Sequence, residues 1–122
     1  MLFRSCPEPG YADYRAAATA LGLAVRGYSA LDALGEALRR DPTPALVWVT
    51  EPHSPSGSSQ AAAAWSALAE GLGRHGAWLA IDRAYEPLRL VGGDPVPAAI
   101  AARAWQLHTP NKALGQIGRA HV

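Results

Sequence analysis

The stretch Ala45-Leu46-Val47-Trp48-Val49, followed at once by Thr50-Glu51-Pro52-His53-Ser54-Pro55-Ser56-Gly57, decides how the chain folds. Five consecutive apolar residues closed by a Pro/Ser/Gly loop read as a short strand covered on both faces, the pattern of a parallel sheet packed between helices. Upstream, Asp41-Pro42-Thr43-Pro44 is a turn, and Leu31, Leu34 and Leu38 mark one helical face ending at Arg39 and Arg40. Ser29 and Asp32 flank the start of that helix like a capping pair. Leu23 to Tyr28 reads as a brief strand. Before it, Tyr11, Tyr14, Ala18 and Leu21 recur at helical spacing, with Gly22 as the C-terminal cap. Leu2 to Cys6 is a further strand, stopped by Pro7-Glu8-Pro9-Gly10. Downstream, Ser59 is placed to cap a helix whose buried stripe is Trp65, Leu68 and Leu72. Ala77 to Ile81 is the next strand. Asp94 and Pro95 look like the start of a short helix carrying Val96, Ala99 and Ile100, and Ala104 to His108 is the last strand.

The order is strand then helix, repeated. Helical crossovers of this length join parallel strands with right-handed connections, which predicts an α/β fold, a three-layer α/β/α arrangement around a mainly parallel sheet. Functional residues then belong at the carboxyl ends of the strands.

Composition narrows the class. The 122 residues are 49% hydrophobic and 17% charged, which suits one modest globular domain. Net charge is +1 with no basic run, so nucleic acid and membrane surfaces are not expected partners. Cys6 has no second cysteine to pair with and reads as a small buried hydrophobe at a strand end. No Cys/His spacing suggests a metal site. No apolar run approaches the ~20 residues of a membrane span, and Pro7, Glu8 and Pro9 interrupt any signal-peptide core. A cytoplasmic enzyme is the expectation. The four tryptophans, Trp48, Trp65, Trp78 and Trp105, read as core between sheet and helices, and His53 as a turn residue.

Three strand ends carry chemistry. The last strand runs into Leu107-His108-Thr109-Pro110-Asn111-Lys112-Ala113-Leu114-Gly115, and a lysine at the mouth of a sheet is partly desolvated, which makes its amine usable as a nucleophile. Ala77 to Ile81 ends in Asp82-Arg83-Ala84-Tyr85, and the opening stretch ends in its Pro/Ser/Gly loop.

In this order the three ends resemble the pyridoxal-phosphate site of the fold-type I, class I/II aminotransferases, nearest to the branch of histidinol-phosphate aminotransferase and threonine-phosphate decarboxylase. Glu8-Pro9-Gly10-Tyr11-x-x-Tyr14 resembles that branch's strand-to-helix turn, and Asn111-Lys112-Ala113-Leu114-Gly115 its lysine loop. The resemblance implies that residues 1–116 are an internal part of the large domain and that the cofactor is pyridoxal 5'-phosphate. Lys112 is then the catalytic residue, holding the aldehyde as an imine and shuttling the α-carbon proton. Asp82, ionised and buried, keeps the ring nitrogen protonated. Tyr85 donates to the phenolic oxygen, Thr109 contacts the phosphate, and Tyr11 stacks on the ring. Ser54 takes the place of an asparagine that bonds the phenolic oxygen, and being shorter reaches it through water. Glu51 replaces another usual asparagine. The implied substrate is an amino acid or amino-acid phosphate, and the implied parent is a homodimer. The family's phosphate loop and small domain lie outside this sequence, so the isolated chain is expected to be inactive.

A second class stays open: a self-standing small α/β binding or regulatory module that reuses part of the fold without catalysis. Ser54 and Glu51 favour it; Asp82, Tyr85 and Lys112 favour the enzyme. After Gly115 agreement with the lysine loop stops. Residues 117–122, Ile-Gly-Arg-Ala-His-Val, resemble one frame of a sequencing adapter and are expected to be a non-native tail, which would make Arg119 a chance arginine.

Overall fold

The computed structural model describes residues 3–41, 44–73 and 76–114. Five strands form one parallel sheet: β1 (Phe3–Pro7), β2 (Ala24–Tyr28), β3 (Pro44–Thr50), β4 (Trp78–Asp82) and β5 (Trp105–Leu107). Their spatial order is β2-β1-β3-β4-β5. Five helices connect or follow them: α1 (Ala12–Ala20), α2 (Leu31–Arg40), α3 (Ala62–Gly73), α4 (Ala98–Ala101) and α5 (Pro110–Ala113), with a 3-10 turn at Glu86–Leu88.

The chain first steps outward from β1 to β2, then crosses back over β1 to β3 and continues the other way. Right-handed crossovers place helices of opposite travel on opposite faces. Accordingly α2, α3 and α4 share one face, where Leu31, Leu34, Leu38, Trp65, Leu68, Leu72 and Ile100 close over Val47, Val49, Leu79 and Ile81. On the other face, among the described residues, lies α1, its Tyr14 ring against Trp48. The three-layer α/β/α expectation holds, with one thin outer layer.

Local chemistry explains most element ends. Gly22, at φ +71°, terminates α1, with its N–H on the Thr19 carbonyl and the Leu23 N–H on that of Ala18, so the expected glycine cap is present. Helix α2 sets Asp32 in its first turn and Arg39 and Arg40 in its last, complementing the helix dipole. Helices α2 and α3 meet backbone to backbone. A methyl group on Gly35 would stand 2.4 Å from the Ala67 carbonyl oxygen, and one on Gly71 would stand 2.7 Å from that of Gly35.

Three expected caps are absent, and tertiary partners claim two of the side chains, Ser59 and Asp94. Ala30 precedes α2 and no side chain caps it, so Ser29 does not serve. Helix α3 begins at Ala62 rather than at Ser59, whose hydroxyl accepts from Arg89 Nη1 at 2.6 Å. Asp94 does not start α4, which opens at Ala98 behind Pro97; its carboxylate pairs with Arg83 and accepts the Val96 N–H. The tryptophans also divide. Trp65 is fully buried, but Trp78 and Trp105 are 61% and 64% exposed, because among the described residues no helix beyond α1 lies on the face they share. Residues 115–122, including Arg119 and the expected tail, lie outside the described residues.

Candidate active site

The reversal of direction between β1 and β3 opens a crevice at the carboxyl ends of the strands, the ordinary binding position of an open parallel sheet. Four loops surround it, leaving β1, β3, β4 and β5. The first two are tied by His53, whose Nε2 lies 3.0 Å from the Pro9 carbonyl and whose Nδ1 lies 2.8 Å from Ser56 Oγ. A carbonyl can only accept, so Nε2 carries the proton and, in the neutral ring, Ser56 donates to Nδ1. His53 is thus a cross-loop tie as well as a turn residue.

Asp82 ends β4, level with Thr50 on one side and Leu107 on the other. It is half-buried rather than buried. One carboxylate oxygen accepts the Ala84 N–H at 2.9 Å, and the other accepts the Tyr14 hydroxyl, reaching across from α1. The Tyr14 ring packs on Trp48 at 4.5 Å between centroids and meets the edge of Tyr11 at 5.4 Å. Burial, then the Asp82 carboxylate, pushes the Tyr14 phenol up to about 12. Tyr14 is the site residue the sequence reading left without a role. Its signal was the three-residue spacing from Tyr11, which brings two rings to one side of α1.

Tyr85 caps the 3-10 turn, and the Lys112 ammonium lies over its ring, 5.2 Å from the centroid. Lys112 is exposed, so the expected partial desolvation is not provided by the described residues. No carboxylate among them pairs with it. It is also the chain's single lysine. Thr109 caps α5, its hydroxyl oxygen accepting the Asn111 N–H at 3.4 Å, and so sets the start of the turn that presents Lys112. Accepting there leaves the hydroxyl proton available to an outside acceptor. Ser54 and Tyr85 line one cavity of about 650 Å³ with His53 and Arg89. Tyr11 is 58% exposed at the mouth of the first loop, its phenol raised mainly by Asp13.

The structure therefore joins Lys112 to Tyr85 by direct contact, Ser54 to Tyr85 through a shared cavity, and Tyr11 to Asp82 through Tyr14. Thr109 stands apart from these contacts. Two further charged residues were given no role in the sequence reading. Arg83, only 2% exposed, pairs with Asp94 and lies 3.5 Å from Glu86; Arg89 binds Glu51 and Glu86. The distant pairs among these, Arg83 with Asp94 and Arg89 with Glu51, leave no periodic trace in the sequence.

Residues 5–114 match the profile of the family described as aminotransferase class I and II. Arginine–pyruvate transaminase of Pseudomonas aeruginosa is 31% identical over 94% of this chain, which spans 30% of that relative's length. N-succinyldiaminopimelate aminotransferase of Mycobacterium tuberculosis superposes with a TM-score of 0.77 at 23% identity, over 91% of this chain and 32% of its own. A methionine aminotransferase of Escherichia coli gives 0.75 at 20%, over 93% and 34%. A C-S lyase of Staphylococcus hominis, solved with pyridoxal phosphate bound, gives 0.74 at 16%, over 93% and 32%. These likenesses show the same fold in each, and the family's cofactor is pyridoxal 5'-phosphate. Spanning about a third of such proteins, the chain belongs to the class I and II aminotransferase family.

Proposed function

We propose that the chain is the central part of the cofactor-binding large domain of a pyridoxal-phosphate enzyme performing amino transfer, or related α-carbon chemistry, on an amino acid or amino-acid phosphate. The observation that carries this reading is what stands at the strand ends: Lys112 on Tyr85, Ser54 lining a cavity with Tyr85, and Asp82 held by Tyr14. These side chains fit the cofactor by their own chemistry. Asp82 has one donor on each oxygen, which leaves lone pairs for a third N–H such as that of a protonated pyridine. Lys112 has an aromatic face rather than a carboxylate beside it, so its amine is not committed to an ion pair.

When bound, the cofactor supplies a protonated ring that withdraws electrons from the substrate's α-carbon. Lys112 would hold the aldehyde carbon and later carry the proton to and from the α-carbon. Asp82 would keep the ring nitrogen protonated by its charge, and Tyr14 would hold that carboxylate in place. Tyr85 and Ser54 would donate to the phenolic oxygen, Tyr11 would cover a face of the ring, and the Thr109 hydroxyl would reach the phosphate. The finer branch, near histidinol-phosphate aminotransferase and threonine-phosphate decarboxylase, is supported by Glu8 to Tyr14 and Asn111 to Gly115. A cytoplasmic homodimer as the parent, and an inactive isolated chain, belong to the same proposal. No helix among the described residues is long and apolar enough to cross a membrane.

The test uses the full-length protein. Lys112→Ala is expected to abolish the absorbance of the cofactor joined to the lysine, and Asp82→Asn to retain cofactor while losing most activity. Absorbance unchanged in Lys112→Ala would end the enzyme reading and favour the binding module.

A further inference from the structure

Glu51 stands where the resemblance expects an asparagine, and its surroundings show how a charge is accommodated there. The side chain is completely buried. One oxygen accepts the Gln60 N–H at 2.9 Å, and the other accepts Arg89 Nη2 at 3.0 Å. A carboxylate enclosed in this way without a counter-charge would be strongly destabilising, so Glu51 and Arg89 require each other.

Arg89 does more than neutralise Glu51. Its Nε and Nη2 bind Glu86 at 2.7 to 3.1 Å, and its Nη1 donates to Ser59 at 2.6 Å. One planar guanidinium therefore joins residues on both sides of the Ser54 loop, Glu51 before it and Ser59 after it, to the residue directly following Tyr85. The remaining charged neighbours, Arg83 and Asp94, continue the chain of ion pairs through Glu86. Arg89 lines the cavity shared by Ser54 and Tyr85, but two carboxylates already neutralise it, which removes it as an anion-binding group.

We propose that Glu51, Arg89 and Glu86 form a positioning bridge that sets the gap between Ser54 and Tyr85, and with it the hydrogen bonding available to the cofactor's phenolic oxygen. The proposal rests on the functional reading above. Serine is shorter than the asparagine it replaces, so the placement of its loop governs whether its hydroxyl can serve. The bridge holds that loop at both ends.

The pH midpoint of the bound cofactor's absorbance, measured in the full-length protein, responds to the donors at the phenolic oxygen, and Arg89→Lys, which keeps the charge, reads them without a change in net charge. Arg89→Lys keeps the positive charge but lacks the fork needed to join three partners. Glu51→Gln keeps an acceptor for the Gln60 N–H but loses the charge. Each is expected to move the midpoint upward by on the order of one pH unit. Their double variant should move it no further than the larger single shift, as for residues acting as a unit. Should Glu51→Gln fail to fold, the Arg89→Lys midpoint decides alone. Cofactor bound with an unmoved midpoint, or fully additive shifts in the double variant, overturns the bridge and leaves the functional reading standing. No cofactor absorbance in the unsubstituted protein overturns both.

Discussion

The two faces of the sheet are built to different standards. On one, α2 and α3 cross at a glycine contact and press a leucine-rich layer with Trp65 onto Val47, Val49, Leu79 and Ile81, all at most 2% exposed. On the other, α1 buries only Ala18 among its own residues, and Trp78, Trp105 and Leu107 remain open. Yet Tyr14 and Asp82, two of the polar groups at the carboxyl edge, belong to the open face. The sheet thus separates two environments: one face holds the strands in register, and the other holds the Asp82 carboxylate and the rings that meet it. Parallel sheets are ordinarily covered on both faces, so the exposed tryptophan pair, its rings 6.3 Å apart, marks where cover is missing among the described residues.

Substitutions can break or sharpen this contrast. Trp65→Ala on the packed face should cost about 3–5 kcal/mol, the range for truncating a buried large aromatic. Trp105→Ala on the open face should cost about 1 kcal/mol or less, as for an exposed position. Chemical denaturation of both variants checks the pair, and equal losses would erase the distinction between faces. Next in size, Gly35→Val should cost about 2 kcal/mol or more, because the new side chain meets the Ala67 carbonyl, backbone that cannot swing aside. A neutral result by the same measurement would mean that α2 and α3 are not in backbone contact.

A third prediction probes the open face. Tyr14→Phe removes the donor to a half-buried carboxylate and should cost about 1–2 kcal/mol. It also carries a pH signature. The Tyr14 phenol lies near 12 in the fold against an ordinary 10, so folding favours the neutral form. That contribution is complete below pH 10 and is lost as pH rises through about 12. Tyrosinate absorbance should lose one late-titrating phenol in Tyr14→Phe, while Tyr28, raised further still by its burial, remains. The smallest effect is expected for Trp78→Ser, within about 0.5 kcal/mol, since the side chain is mostly in water already.

The sheet was legible because strand length and apolar runs report burial directly. Ala45 to Val49 became β3 with Val47 and Val49 inward, and Leu31, Leu34 and Leu38 became the buried stripe of α2. What the pattern could not report was which apolar residues would find cover. Trp78 lies in an equally apolar run, but it alternates onto the bare face. Local cap rules failed where a partner far along the chain was stronger: Ser59 is taken by Arg89, thirty residues on, and Asp94 by buried Arg83. The placement of site residues at strand ends followed from topology, whereas Tyr14's grip on Asp82, 68 residues away, needed the fold itself. Glu51 read as a departure from pattern only because its counter-charge was invisible.

The central claim is that Lys112 is the residue that takes up the cofactor. Borohydride reduction of the full-length protein with pyridoxal phosphate bound, followed by peptide mass spectrometry, tests it directly. This chain contains no other lysine to confuse the assignment within residues 1–122. The account predicts the reduced cofactor attached to Lys112; attachment to a lysine outside this chain, or none in the native protein, would contradict it.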